Sequence, residues 1–286
     1  MFVSLVLGAT ALLSPIQQDT TVPVSTGTRL ELSTHSGQIM VRTWSRNAIQ
    51  VSADLGSRAR LEVDVSGGVA RVGQSSRHGD DDATDYRLTV PVWMDLDLST
   101  VEDGDITVEG TQGRVTASSV EGNVTVRGGR DFVSVHTVEG EATVDGVTGR
   151  LEVNSVDGGI TLTNIRGEIM AETVDGDITM DHVESADVEA NTVDGNILYR
   201  GPINRQGRYR LGSHDGDITI EAPEVNAVFS IDTYEGEFIP CGFEVTLGNS
   251  GDHSRKRMRF TVGTGSARID LESFDGNVYL TKPGCR

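Results

Sequence analysis

Lysine is almost absent from this 286-residue chain: Lys256 and Lys282 are the only two, and the remaining positive charge is arginine. Acids outnumber bases by 43 to 24, a net charge of −19, which excludes nucleic-acid binding through a global positive field. Proline is scarce, at 7 residues, and aromatic residues make up 5%. A collagen, a Pro-rich linker and a densely aromatic core are therefore excluded. Cys241 and Cys285 are the only cysteines, too few for a disulfide scaffold. Long apolar runs are also missing after residue 16, so no integral membrane segment is expected. Residues 1–16 (MFVSLVLGATALLSPI) are apolar but shorter than the ~20 residues a span requires, and polar QQDTTVPV follows at once. With Ala9-Thr10-Ala11 resembling an A-x-A cleavage site, residues 1–18 read as a signal segment and predict an exported protein, periplasmic, cell-surface or extracellular.

Glycine, by contrast, is abundant, at 34 residues, and much of it is periodic. SVEGNVTV (119–126), TVEGEATV (137–144), SVDGGITL (155–162) and TVDGDITM (173–180) are copies of one another. TVDGNILY, SHDGDITI, TYEGEFIP and SFDGNVYL follow from Thr192, Ser213, Thr233 and Ser273, and THSGQIMV (34–41) is an early copy. The anchor glycines from Gly104 to Gly276 are spaced 18, 18, 18, 18, 19, 21, 20 and 40 residues apart, the last interval equal to two periods of 20. Two and four residues after each glycine the chain is apolar, as at Val124/Val126 and Ile178/Met180. Five and seven residues before it the chain is apolar again, as at Leu151/Val153 and Ile269/Leu271. That is period-2 alternation in two short strands flanking an acidic-Gly turn. A third apolar site at Val147, Ile165 and Val183 marks a return corner.

So short a unit buries no core alone and must stack on its neighbours. Strict alternation excludes an amphipathic helix, and a propeller blade requires a period of ~40. The expected fold is all-β: a parallel β-solenoid (β-helix) of about ten coils with 18–21-residue repeats and capped ends. One domain over 19–286 is expected, with an N-terminal coil and cap strands in 28–98, regular coils in 99–240, and a C-terminal hairpin and last coil in 241–286. Alternating runs at Ile49–Ala53, Leu61–Val65, 69–72 and Tyr86–Val90 supply the N-terminal cap, with RHGDDDATD (77–85) as a polar loop. Residues 243–247 and 258–262 flank 248–256 as a protruding hairpin. Caps of this kind shield strand edges that would otherwise polymerise. A Cys241–Cys285 bridge would need the tail to fold back over about two coils, ~10 Å of stacking.

RLELSTHSGQIMVRTW (29–44), YRLTVPVWMDLDLST (86–100), the ladder of S/T-V-D/E-G-D/N-I-T-V and TGSARIDLESFDGNVYL (264–280) together resemble a bacterial β-strand-repeat family of unknown function labelled "putative adhesin". The resemblance covers about residues 28–282. It departs where coils lengthen after Gly176 and where Asp103 adds a residue before Gly104. It implies a non-catalytic, exported protein that offers an extended interaction surface in the cell envelope.

The acidic turn position holds Glu121, Glu139, Asp157, Asp175, Asp194 and Asp215, which stacking at ~4.8 Å would line up along one edge. Such a file suggests calcium. Turn chemistry explains it better: Asp and Asn bond their own backbone, Gly supplies positive φ, and Glu exchanges freely with Asp. The six histidines show no ligand spacing, so no metal or cofactor is expected. The Ser/Thr column at Ser119, Thr137, Ser155 and Thr173 has no His or Cys at fixed spacing to activate it. A polysaccharide-acting β-helix enzyme would want a base such as Arg150 or Arg166 beside clustered acids, but ion pairs account for both. Arg255, Lys256 and Arg257, with Arg259, form the one basic patch, either a grip for an anionic polymer or a solvated loop that discourages edge pairing. The acidic file and this patch are the candidate interaction surface. A surface polymer or protein is the expected partner, and end-to-end self-assembly as a structural scaffold is the alternative.

Overall fold

The computed structural model describes residues 16–55, 59–76, 83–245 and 256–285. The signal-like residues 1–15, most of the 77–85 loop and Arg255 lie outside them. Among the described residues every regular element is a strand, and the strands form two sheets of thirteen, mostly parallel. In the first sheet Ile106–Thr111, Val124–Gly128, Ala142–Asp145, Ile160–Thr163, Ile178–Asp181, Ile197–Arg200 and Ile218–Glu221 follow in order. In the second, Asp95–Thr100, Val115–Glu121, Arg130–Glu139, Thr148–Asn154, Arg166–Glu172, Glu184–Asp194 and Arg208–Asp215 do the same. Thr125 pairs with Thr143 and Thr143 with Thr161, so one period of 18 carries the chain once through both sheets and sets like upon like.

The alternation read from the sequence is the alternation of burial. Val124, Val126, Val133, Val135, Leu151 and Val153 are fully buried and belong to one core cluster, each worth ~1.5–3 kcal/mol of apolar transfer. The corner residues Val147, Ile165 and Val183 are buried with them. The 21-residue coil absorbs its extra length at a corner, where Tyr199 and Tyr209 meet edge to face at 5.5 Å. Tyr209 Oη donates to Ser185 O at 2.8 Å and accepts from the Asn204 N–H at 2.8 Å. Burial raises the pKa of both hydroxyls. Sheet register survives the insertion, with Ile197 against Ile218 and Asp194 against Asp215.

At both ends the order in space departs from the order in sequence. Arg29–Ser33 and Ile39–Trp44 stack directly on Asp95–Thr100 and Ile106–Thr111. The four intervening strands, Ala48–Leu55, Ala59–Ser66, Val69–Ser76 and Asp85–Pro91, are laid outside them, together with Ile16–Pro23. The C-terminal end mirrors this. Ala267–Asp275 and Val278–Thr281 insert between the Arg208–Asp215/Ile218–Glu221 coil and the earlier Ala227–Thr233/Phe238–Cys241 coil. The 40-residue interval is therefore not two coils in line, because the last coil in sequence is an interior rung.

Two further expectations change with it. Lys256–Val262 pairs antiparallel with Ala227–Thr233 at the sheet edge; of the expected hairpin's other arm, 243–245 form no strand, and 246–247 with most of the 248–256 loop lie outside the described residues. Cys241 lies one rung from Thr281, opposite it in register, so the tail needs no two-coil reach. A turn with Cys285 N–H on Lys282 O at 3.0 Å closes the Cys241–Cys285 disulfide, with Cα atoms 6.0 Å apart.

Candidate functional site: the acidic and apolar edge

Each strand of the second sheet ends in the same turn, and stacking turns these into files. Glu121, Glu139, Asp157, Asp175, Asp194 and Asp215 stand in consecutive register, followed by Asp275. All seven are exposed. The backbone needs no acid here, because the carbonyl of Asp157 accepts from Gly140 N–H at 3.1 Å and that of Asp175 from Gly158 N–H at 2.9 Å. The carboxylates are thus free to project.

The neighbouring position is bonded differently from the turn chemistry expected. Its Asp and Asn side chains reach the next coil instead of their own backbone. Asp105 Oδ1 accepts the Asn123 N–H at 2.8 Å, and Asn123 Oδ1 accepts that of Glu141 at 2.8 Å. Asp177 caps Asn196 at 2.7 Å, Asn196 caps Asp217 at 2.9 Å, and Asp217 caps Asn277 at 2.7 Å. Glu141 and Gly159 interrupt the chain of caps, one by being too long and the other by having no side chain. Asn196→Ala, which removes one cap and one amide bond to Asp177, is expected to cost about 1 kcal/mol, read as a lower urea midpoint at unchanged slope.

The buried hydroxyl column serves the same turns. Ser119 Oγ donates to Gly104 O at 3.1 Å, Thr173 Oγ1 to Gly158 O at 3.1 Å, and Ser213 Oγ to Gly195 O at 2.8 Å. These hydroxyls are engaged in structure. Outside this column, Ser134 Oγ lies 2.9 Å from His136 Nε2, but the other ring nitrogen faces the Asn154 amide at 3.4 Å and no carboxylate holds it. Arg150 pairs with Glu152 and Arg166 with Glu184. No group of three or more His, Cys, Asp or Glu among the described residues is placed to hold a metal ion.

Of the basic patch, Lys256 falls opposite Thr233, at the end of the sheet where the acidic file terminates. Arg257 is tied to Asp232 at 2.7 Å. The structure thus separates the patch from most of the acidic file and brings only its first described residue near the file's end.

A second file was legible in the alternation but not singled out. The residue before each acid points outward by parity, and it is apolar: Val101, Val120, Val138, Val156, Val174 and Val193. Three rings continue the line. His214 stacks on Phe274 at 4.7 Å, and Phe274 on Tyr234 at 4.9 Å. Ten large hydrophobic residues are exposed in the described chain, and eight of them lie on this one line. At its ringed end Asn191, Gly212, Asp232 and Glu272 join the rings around a recess of about 550 Å³.

Stacked, exposed carboxylates repel, and salt screens them within ~8 Å at physiological ionic strength. Sodium chloride is therefore expected to raise the melting temperature by a few degrees, and calcium at matched ionic strength to add little, since no rung repeats a fixed oxygen cage. A calcium-specific rise saturating at low concentration would contradict this.

Two long sheets of mostly parallel strands, with turns that recur at every rung, define an all-β repeat protein. The sequence profile of the Toastrack DUF4097 family matches residues 13–281, and the chain belongs to that family. It is also similar to solved structures. One from Bacteroides fragilis, described as a putative adhesin, is 11% identical, with 93% of this chain and 97% of that one covered and a TM-score of 0.45. Another from Parabacteroides distasonis, described as a putative lipid binding protein, is 11% identical over 93% and 96% with a TM-score of 0.39. A putative adhesin from Parabacteroides merdae is 9% identical over 93% and 95% with a TM-score of 0.35. No curated protein matches the sequence. No helix among the described residues is long and apolar enough to cross a membrane.

Proposed function

We propose that the protein is a non-catalytic, exported module that presents an extended interaction surface in the bacterial cell envelope. It folds as one capped solenoid of about ten coils over residues 19–286, with cap strands before residue 99, regular coils in 99–240 and a closing element in 241–286. The observation that carries this reading is the repetition of one turn chemistry at every rung, which offers a partner the same pair of side chains many times over and so favours avidity over a single pocket. The Cys241–Cys285 disulfide supports export, because such bonds persist in oxidising compartments. Glu121 to Asp215 form the body of the surface, and Lys256 and Arg257 lie at its end.

One observation favours the scaffold alternative: the outer strands carry opposite charge. Glu62 and Asp64 outnumber Arg60 among the exposed charges of Ala59–Ser66 at one end, and Lys256, Arg257 and Arg259 lie on Lys256–Val262 at the other. Head-to-tail contacts of complementary charge would build a filament. Fractionation of cells expressing the native chain, with monomer binding to purified envelope material, tests the first reading. Envelope binding by monomer supports it. An intracellular chain, or concentration-dependent filaments without binding, would replace it.

A further inference from the structure

We propose that the apolar file and the carboxylates beside it form a docking track for a cationic amphipathic polypeptide segment. This deepens the interaction-surface reading by naming the partner's chemistry. The apolar members of the track are 38–49% exposed, and exposed apolar side chains are ordinarily scattered, so their concentration on one line marks an interaction site. From Val101 to Tyr234 the line has nine rungs at ~4.8 Å, a straight track of ~38 Å. Each of its six valines is followed in sequence by an acid, from Glu102 to Asp194. A matching segment alternates apolar and basic contacts over the same length, about 25 residues if helical at 1.5 Å each.

Other occupants fit less well. A second copy docked by the same edge would set acid file against acid file, and an anionic lipid surface would meet the same repulsion on a chain of net charge −19. A sugar stacks on open aromatic faces, but here both faces of Phe274 and one face each of His214 and Tyr234 are taken up in the stack, so the row presents mainly ring edges. Those edges, with Gly212 where a side chain would otherwise stand, shape the recess at the ringed end into a seat for an apolar anchor of the bound segment.

The test uses the full chain and a synthetic 25-residue Leu/Lys amphipathic helix, with a scrambled peptide of equal composition and a Leu/Glu analogue as controls, measured by titration calorimetry. The amphipathic cationic peptide is expected to bind at least tenfold more tightly than either control, and more weakly as salt rises. Val138→Thr/Val156→Thr/Val174→Thr, which keeps β-branched shape at exposed positions, is expected to weaken binding at least fivefold while the melting temperature stays unchanged. Phe274→Ala reports independently on the ringed end, with a loss of threefold or more. Equal binding of the scrambled peptide, or no effect of either variant, would overturn the track. So would preferential binding of glycans or anionic vesicles, although those results would leave the envelope-surface reading standing. Filament formation or retention in the cytoplasm would sink that reading without touching the peptide result.

Discussion

Alanine at position 158 is expected to destabilise the protein by about 3 kcal/mol. Gly158 has φ +156°, and a Cβ built there would lie 2.2 Å from the carbonyl oxygen of Gly140 in the adjacent coil. Positive φ alone already disfavours a side chain here, a β-branched one such as valine most of all. Stacking adds a backbone oxygen that cannot rotate away, so the first carbon of any side chain meets it and alanine is already harmful. The groups flanking that carbonyl are held by both neighbouring coils, Gly140 N–H on Asp157 O at 3.1 Å and Glu141 N–H on Asn123 Oδ1 at 2.8 Å, which leaves little room for relaxation. Gly146 provides the comparison: its φ is +73° but nothing lies within 4 Å of its Cβ position, and Gly146→Ala is expected to cost about 1 kcal/mol. Urea denaturation of both variants reads the difference. Equal losses would show that conformation, and not the neighbouring carbonyl, governs the turn.

A chain ending at Gly263 is expected to lose the cooperative fold of its C-terminal end, not merely one rung of length. Residues 264–286 supply Ile269, Leu271, Val278 and Leu280, all buried. At ~1.5–3 kcal/mol each, their burial is comparable with the whole stability of an ordinary domain, about 5–15 kcal/mol. The deletion also takes Cys285, and it leaves Arg208–Asp215 and Ala227–Thr233 without the strand that lies between them. Limited proteolysis should cut the truncated chain within 222–262 while the ladder before it persists. A melting curve like that of the full chain would show that the outer coil can close directly on the inner one.

The repeat was readable because stacking sets residue i over i+18, so the period is a spatial fact. Leu151 and Val153 are buried on either side of the half-buried Glu152, as the sequence alternates, and the acidic file follows from the same count. The order of the last two coils was not readable. Gly236 and Gly276 sit in nearly identical motifs, and local pattern cannot tell which is outermost. That is decided by long-range pairing of 227–233 with 256–262, and the same pairing moved Lys256 and Arg257 from an expected hairpin to an edge strand. Asp177 and Asn196 are turn-forming residue types, but their hydrogen bonds cross between coils, and no single repeat contains both partners. Val156 pointed outward by parity alone, yet one exposed valine means little until stacking makes a line of it.

The inserted C-terminal coil also bears on how the chain reaches its final form in time. A stack built in sequence order could close rung by rung as it left a ribosome or a translocation pore. Here Ala227–Thr233 and Phe238–Cys241 emerge first but belong beyond strands not yet present, so this end stays open until Thr281 has arrived. The cell is therefore left, for the interval that last segment takes to appear, with unpaired strand edges that invite mispairing. A chaperone that keeps the chain extended until release would protect that interval, and the disulfide that follows would lock the finished end.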